Sequence, residues 1–151
     1  MEYEKLLEEA DGECLIIKEK PLKAYSGRIK GNKIAIKKDM NMVDKACTLA
    51  EELGHYYTTV GNILDQSSAS IRKQERRARI WAYNKMIGLN GIIRAYEHGC
   101  RSKSDMADYL DVTEEFLQEA INCYTEKYGL YKEIDNYMIL FQPLGVLELY
   151  K

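Results

Sequence analysis

Residues 49–55, LAEELGH, set two carboxylates and an imidazole within five positions: Glu51, Glu52 and His55. Side chains four apart on a helix project side by side, so Glu51 and His55 can grip one ion while Glu52 approaches the water bound to it. Zinc accepts imidazole nitrogen and carboxylate oxygen, and a catalytic site needs three protein ligands with one position left open. A third ligand must therefore come from elsewhere, and Glu75 is the leading candidate. It belongs to a stripe at helical spacing (Ile71, Glu75, Ala78, Ala82, Met86, Leu89, Ile93) whose other members are all apolar. A carboxylate on a buried face has to be paired, protonated or metal-bound, because an isolated buried charge costs on the order of several kcal/mol. The other reading pairs Glu75 with an arginine of its own run, RKQERRAR, and spacing leaves both open. Asp65 is a rival third ligand if its loop folds back, and Cys47, one turn before Glu51, packs more naturally as a small hydrophobe. Taken alone, Glu51 and Glu52 also read as solvated helix residues, and His55 as a satisfied core or surface histidine.

The elements that must position these groups can be read from periodicity. Residues 44–59 carry an apolar stripe of Ala46, Leu49, Ala50, Leu53 and Tyr57, which predicts a helix stopped by Gly61 and Asn62. Before it, a short helix over Tyr3 to Ala10, with Leu6 and Leu7 inward, leads to a strand in CLIIKEK that Pro21 ends. AYSGRIKGNKIAIKK then reads as a hairpin, with Ile34 and Ile36 alternating and Gly31-Asn32 as a two-residue turn needing positive φ at Gly31. After a Ser-rich linker, DQSSAS, a long helix is expected from about Ile71 to Tyr96 with a break at Gly88 to Gly91. Two further helices are expected near Ser104 to Leu110 and Thr113 to Glu126, with Thr113 as N-cap. The apolar tail YMILFQPLGVLELY is expected to be extended and to pack back on the body.

Composition limits what these elements can do. The 151 residues, 46% hydrophobic, suit one domain with a real core, divided into a core over 1–97 and a helical C-terminal portion over 98–151. The pattern is α+β, mostly helical, with a small three-stranded sheet packed on the helix of LAEELGH. The formal net charge of -2, from 22 basic and 24 acidic residues, sets up no global field toward nucleic acid or an anionic membrane. The acidic N-terminus has no signal-peptide pattern and no segment approaches about 18 apolar residues, so a cytoplasmic location is expected. Four cysteines without a CxxC pair fit reduced thiols, most of them in the core.

With His in place of Glu51 the stretch would be HExxH, the helix motif of zinc peptidases. The run GNKIAIKKDMNMVDKACTLAEELGHYYT followed by QERRARIWA resembles the ImmA/IrrE family of metallopeptidases of phages and integrative elements, over roughly residues 10–90. The family pattern is a strand with an Ile-x-Ile core, a helix carrying LAHELGH, and E-x-x-A-x-x-[F/W]-A on a second helix. The resemblance implies a zincin-like domain in a bacterial host cell. It assigns His55 and Glu75 as zinc ligands and Glu52 as general base. It also implies cleavage of a helix-turn-helix repressor encoded beside the peptidase. Glu51 stands where the pattern has its first His. Two carboxylates and one imidazole cancel the charge of Zn2+, so a harder site with less acidic water is expected, more welcoming to Mn2+ or Fe2+.

Two functions follow. One is a metal-dependent endopeptidase acting on a repressor held along an edge strand, with Ile34 to Lys37 as the candidate strand and Tyr56 or Tyr57 as a candidate oxyanion donor. The other is a zincin-fold module that binds such a partner without cutting it. The segment SKSDMADYLDVTEEFLQEAINCYTEKY has a helix-turn-helix pattern, but Glu114, Glu115, Glu119 and Glu126 on its second helix oppose groove reading, so direct nucleic-acid binding is not expected. The basic run Arg72 to Arg79 reads as a solvated helix face, and His98 as a surface residue.

Overall fold

The structure, a computed structural model, describes residues 1–58 and 68–149. The chain divides into two compact units, Met1–Ala82 and Tyr83–Lys151. Among the described residues no helix is long and apolar enough to cross a membrane.

The first unit contains α1 (Glu2–Gly12), β1 (Ile16–Lys20), β2 (Gly27–Lys30), β3 (Lys33–Lys37), α2 (Met42–Thr58) and most of α3 (Ser68–Met86). Cys14 adopts φ 60°, a turn conformation, so the first strand starts at Ile16 and Cys14 is exposed. The sheet order is β1-β3-β2, with β1 parallel and β2 antiparallel to β3. Gly31 makes the expected turn at φ 61°. The strand of Ile34 to Lys37 is therefore central, and its backbone already pairs on both sides. It cannot take a substrate strand, and the edges are β1 and β2.

Ile34 and Ile36 are buried on the inner face, where α2 packs on β2 and β3. Ala46, Leu49, Ala50 and Leu53 of α2, and Tyr3, Leu6 and Ala10 of α1, complete this core. Tyr57 departs from the expected stripe and is 39% exposed. Lys45 is buried because Glu19 reaches it: Lys45 Nζ donates to Glu19 Oε1 at 2.9 Å, and the Tyr3 hydroxyl donates to Glu19 Oε2 at 2.8 Å. These bonds, Lys45's first, hold the Glu19 carboxyl below its ordinary value.

The second unit contains α4 (Gly88–His98), α5 (Lys103–Leu110), α6 (Glu114–Tyr128), β4 (Tyr131–Ile134), β5 (Tyr137–Phe141) and β6 (Leu144–Glu148). The long helix breaks where expected, at Gly88 with φ 64°. The Ser102 hydroxyl caps α5 by accepting from the Asp105 N–H at 3.1 Å, and Thr113 caps α6 by accepting from Phe116 at 3.0 Å. The expected extended tail forms a second sheet, antiparallel in order β4-β5-β6, and β4 is an addition to the sequence reading. Ile139, Phe141 and Val146 are its buried members. The fold is α+β and mostly helical, with the first sheet backing α2 in a zincin-like arrangement.

Candidate active site

The Cα of Gly54 sits against the backbone of α3. A methyl group there would lie 2.9 Å from the Ala78 carbonyl carbon and still closer to its oxygen, so only glycine allows this approach. Beyond this contact the Tyr57 ring stacks on Trp81 at 5.1 Å, and Tyr56 meets Tyr57 edge-on. The crossing brings His55 to Glu75. Nε2 of His55 and Oε1 of Glu75 are 3.4 Å apart, with side chains 20% and 49% exposed.

That exposure corrects the premise on which Glu75 was singled out. The first turns of α3 stand in solvent, with Ile71 44% exposed, and the covered stripe starts only at Ala78. Glu75 is thus not stranded on an apolar face. Its ion-pair partner among the described residues is His55 rather than an arginine of its own run. Helix α3 also begins at Ser68, so part of the Ser-rich linker is helical. Cys47 is buried as expected, while Asp65 lies outside the described residues.

Glu52 is half-buried beside the edge strand β2. A methyl group on Gly27 would come within 2.6 Å of the Thr48 methyl and 3.1 Å of Glu52 Cγ, so the β2 backbone lies directly over these side chains. Burial pushes the Glu52 carboxyl up to about 7, reinforced by the charges of Glu51 and then Glu75. Three carboxylates and one imidazole therefore share a neighbourhood that a cation would relieve.

The separation of His55 and Glu75 allows a test of metal fit. Two ligands of one tetrahedral zinc ion, each about 2.0–2.1 Å from it, lie roughly 3.3 Å apart, whereas a charged N–H···O bond is about 2.7–2.9 Å. At 3.4 Å the pair fits two ligands of one ion and equally a long His–Glu ion pair. Glu51 stands one turn before His55 on α2. Among the described residues, no three His, Cys, Asp or Glu side chains converge on a common ion position.

Sequence reasoning missed both glycines. Each carried a signal, since glycine inside a helix costs about 1 kcal/mol relative to alanine and in a strand often marks a close approach.

A family model described as the IrrE N-terminal-like domain, of peptidase family M78, matches residues 14–122. No curated protein and no solved structure matches the chain. The matched span includes the first sheet, LAEELGH on α2 and Glu75 on α3, and the chain belongs to the IrrE N-terminal-like, or ImmA/IrrE, family of peptidases.

Proposed function

We propose that this chain is a metal-dependent endopeptidase in which Glu51, His55 and Glu75 hold the ion and Glu52 moves the proton. The observation that carries the reading is the 3.4 Å spacing of His55 Nε2 and Glu75 Oε1 next to the half-buried Glu52. A divalent ion held by these residues, zinc or the harder manganese or iron, would supply Lewis acidity toward the scissile carbonyl and lower the pKa of water. Glu52 takes the proton of the attacking water and delivers it to the leaving amine. The β2 backbone over Glu52, kept close by Gly27, shields one side of that carboxyl from bulk water. As an edge strand beside Glu52, β2 offers main-chain groups to an extended substrate, which registers the scissile bond against the site. Family membership supports a protein substrate, and we assign it as a helix-turn-helix repressor of a phage or mobile element. With Glu51 in place of an imidazole, the ligand set neutralises a divalent ion, so turnover is slow relative to a two-imidazole site.

A second reading, a module that binds the repressor without cutting it, is favoured because no three His, Cys, Asp or Glu side chains gather at one ion position among the described residues. The two separate in one assay of purified chain with the repressor encoded beside it. Glu52→Gln should lower kcat by roughly 10²–10⁴-fold while repressor binding persists, and chelator should stop cleavage. Binding without cleavage, indifferent to Glu52 and to chelator, would establish the second reading instead.

A further inference from the structure

The inner face of the first sheet serves the candidate site, and its outer face has a different chemistry. Strand alternation sends Ile34, Ile36, Gly27 and Glu19 inward. The registered partners then assign eight positions outward, and six of them are cations: Lys18, Lys20, Arg28, Lys30, Lys33 and Lys37. The remaining two are Ile16 and Ala35, so the face holds no acid. Five of the six cations are exposed and Lys37 is half-buried. None of the six forms a salt bridge among the described residues.

This arrangement works against folding. Lys20 lies directly opposite Lys37, and Lys30 directly opposite Lys33. Like charges paired across strands repel. The chain as a whole carries a net charge of -2, so the cations are segregated on one face rather than reflecting a basic composition.

We infer that the outer face of the β1-β3-β2 sheet binds duplex DNA through its phosphates. Charge complementarity selects a polyanion, and the absence of other chemistry narrows the choice. The face has no aromatic ring on which single-stranded bases could stack. Its eight positions include no aromatic anchor of the kind that dominates protein–protein affinity. Its one large apolar member, Ile16, sits at a corner, too little to insert into a lipid surface. What remains is a rigid grid of cations, about 6.7 Å apart along each strand and about 4.8 Å between strands, suited to a backbone of regularly spaced charges. The face carries no base reader, so binding is independent of sequence. The acidic α6 is consistent with this assignment, since no helix has to enter a groove.

The test is fluorescence anisotropy of a labelled duplex of arbitrary sequence with the full chain, across a salt series. With six phosphate contacts, affinity should fall by about a thousandfold between roughly 50 and 200 mM salt. Lys18→Glu with Arg28→Glu should lower the slope of log affinity against log salt by about two. Lys30→Gln with Lys33→Gln should act alike while removing a repulsive pair, so its melting temperature should hold or rise, and loss of binding is then not loss of fold. Arg77→Glu with Arg79→Glu on α3 should leave binding unchanged. No duplex binding at low salt would overturn the inference. So would loss of binding in the α3 variant alone, or tighter binding by the same lysines to phosphatidylserine vesicles or to polyglutamate.

Discussion

Helices α5 and α6 of the second unit start on the hydroxyls of Ser102 and Thr113, local devices that satisfy orphan N–H groups within each helix's own first turn. In the first unit, by contrast, α2 has glycine at its contact with α3, a buried lysine and a half-buried glutamate, and β2 has glycine over Thr48 and Glu52. The two sheets differ in the same way. The inner face of the second is plain core, Ile139, Phe141 and Val146, whereas the first sets Gly27 against Glu52 inside and opposed lysines outside. Departures from local preference gather where a protein does chemistry. In the first unit they surround Glu52, His55 and the face behind them, while the second unit has its own at Asp111 and Asp135, non-glycine residues with φ 59° and 53°.

The sharpest way to break this contrast is Gly54→Ala. Helix propensity alone would stabilise the variant by about 1 kcal/mol. The clash with the Ala78 carbonyl should reverse the sign and leave a net loss of about 2 kcal/mol in urea unfolding. As the control, Gly145→Ala in β6, with open space around it, should stay within about 0.5 kcal/mol. A stabilised Gly54→Ala would mean that the two helices do not approach as described.

Next in size is Thr113→Ala, which should cost about 1 kcal/mol by loss of the cap on α6, with Thr113→Asn close to neutral. Thermal unfolding at neutral pH reads both, and equal stability of all three chains would remove the local character assigned to the second unit.

The smallest effect concerns acid. The Glu19 carboxyl is held low by Lys45 and then Tyr3, so its contribution is present above the ordinary value of 4.5 and is lost as pH falls through the lower folded value. Glu19 is about one-third exposed, which keeps that contribution below about 1 kcal/mol. Lys45→Met should be nearly neutral at pH 7 and should flatten the decline of stability in acid; an unchanged acid profile would remove Lys45 from the cause.

Much of the frame was legible because it rests on periodicity and turn chemistry. The stripe of α2, the Gly31 turn, the break at Gly88 and the Thr113 cap each depend on a few neighbouring residues. What was hidden depends on distant ones. Tyr131 to Ile134 reads YKEI, which has no apolar alternation, and becomes a strand only because β5 pairs with it. The Ser-rich stretch looked like linker, yet α3 begins at Ser68. Helical spacing placed Glu75 on an apolar stripe but could not say which turns another element covers, so Glu75 was singled out through a premise the fold does not support. Net charge summed away the cationic face, which exists only once strand register sorts inward from outward.

The proposed metal centre requires Glu51, His55 and Glu75 to share one ion. Elemental analysis of the purified chain, after mild dialysis and add-back of zinc, manganese or iron, tests it directly. About one equivalent of metal per chain is expected, lost in Glu51→Ala and in Glu75→Ala but retained in Glu52→Gln. No metal under any add-back, or full retention in the Glu51 and Glu75 variants, would contradict the metal-centre account.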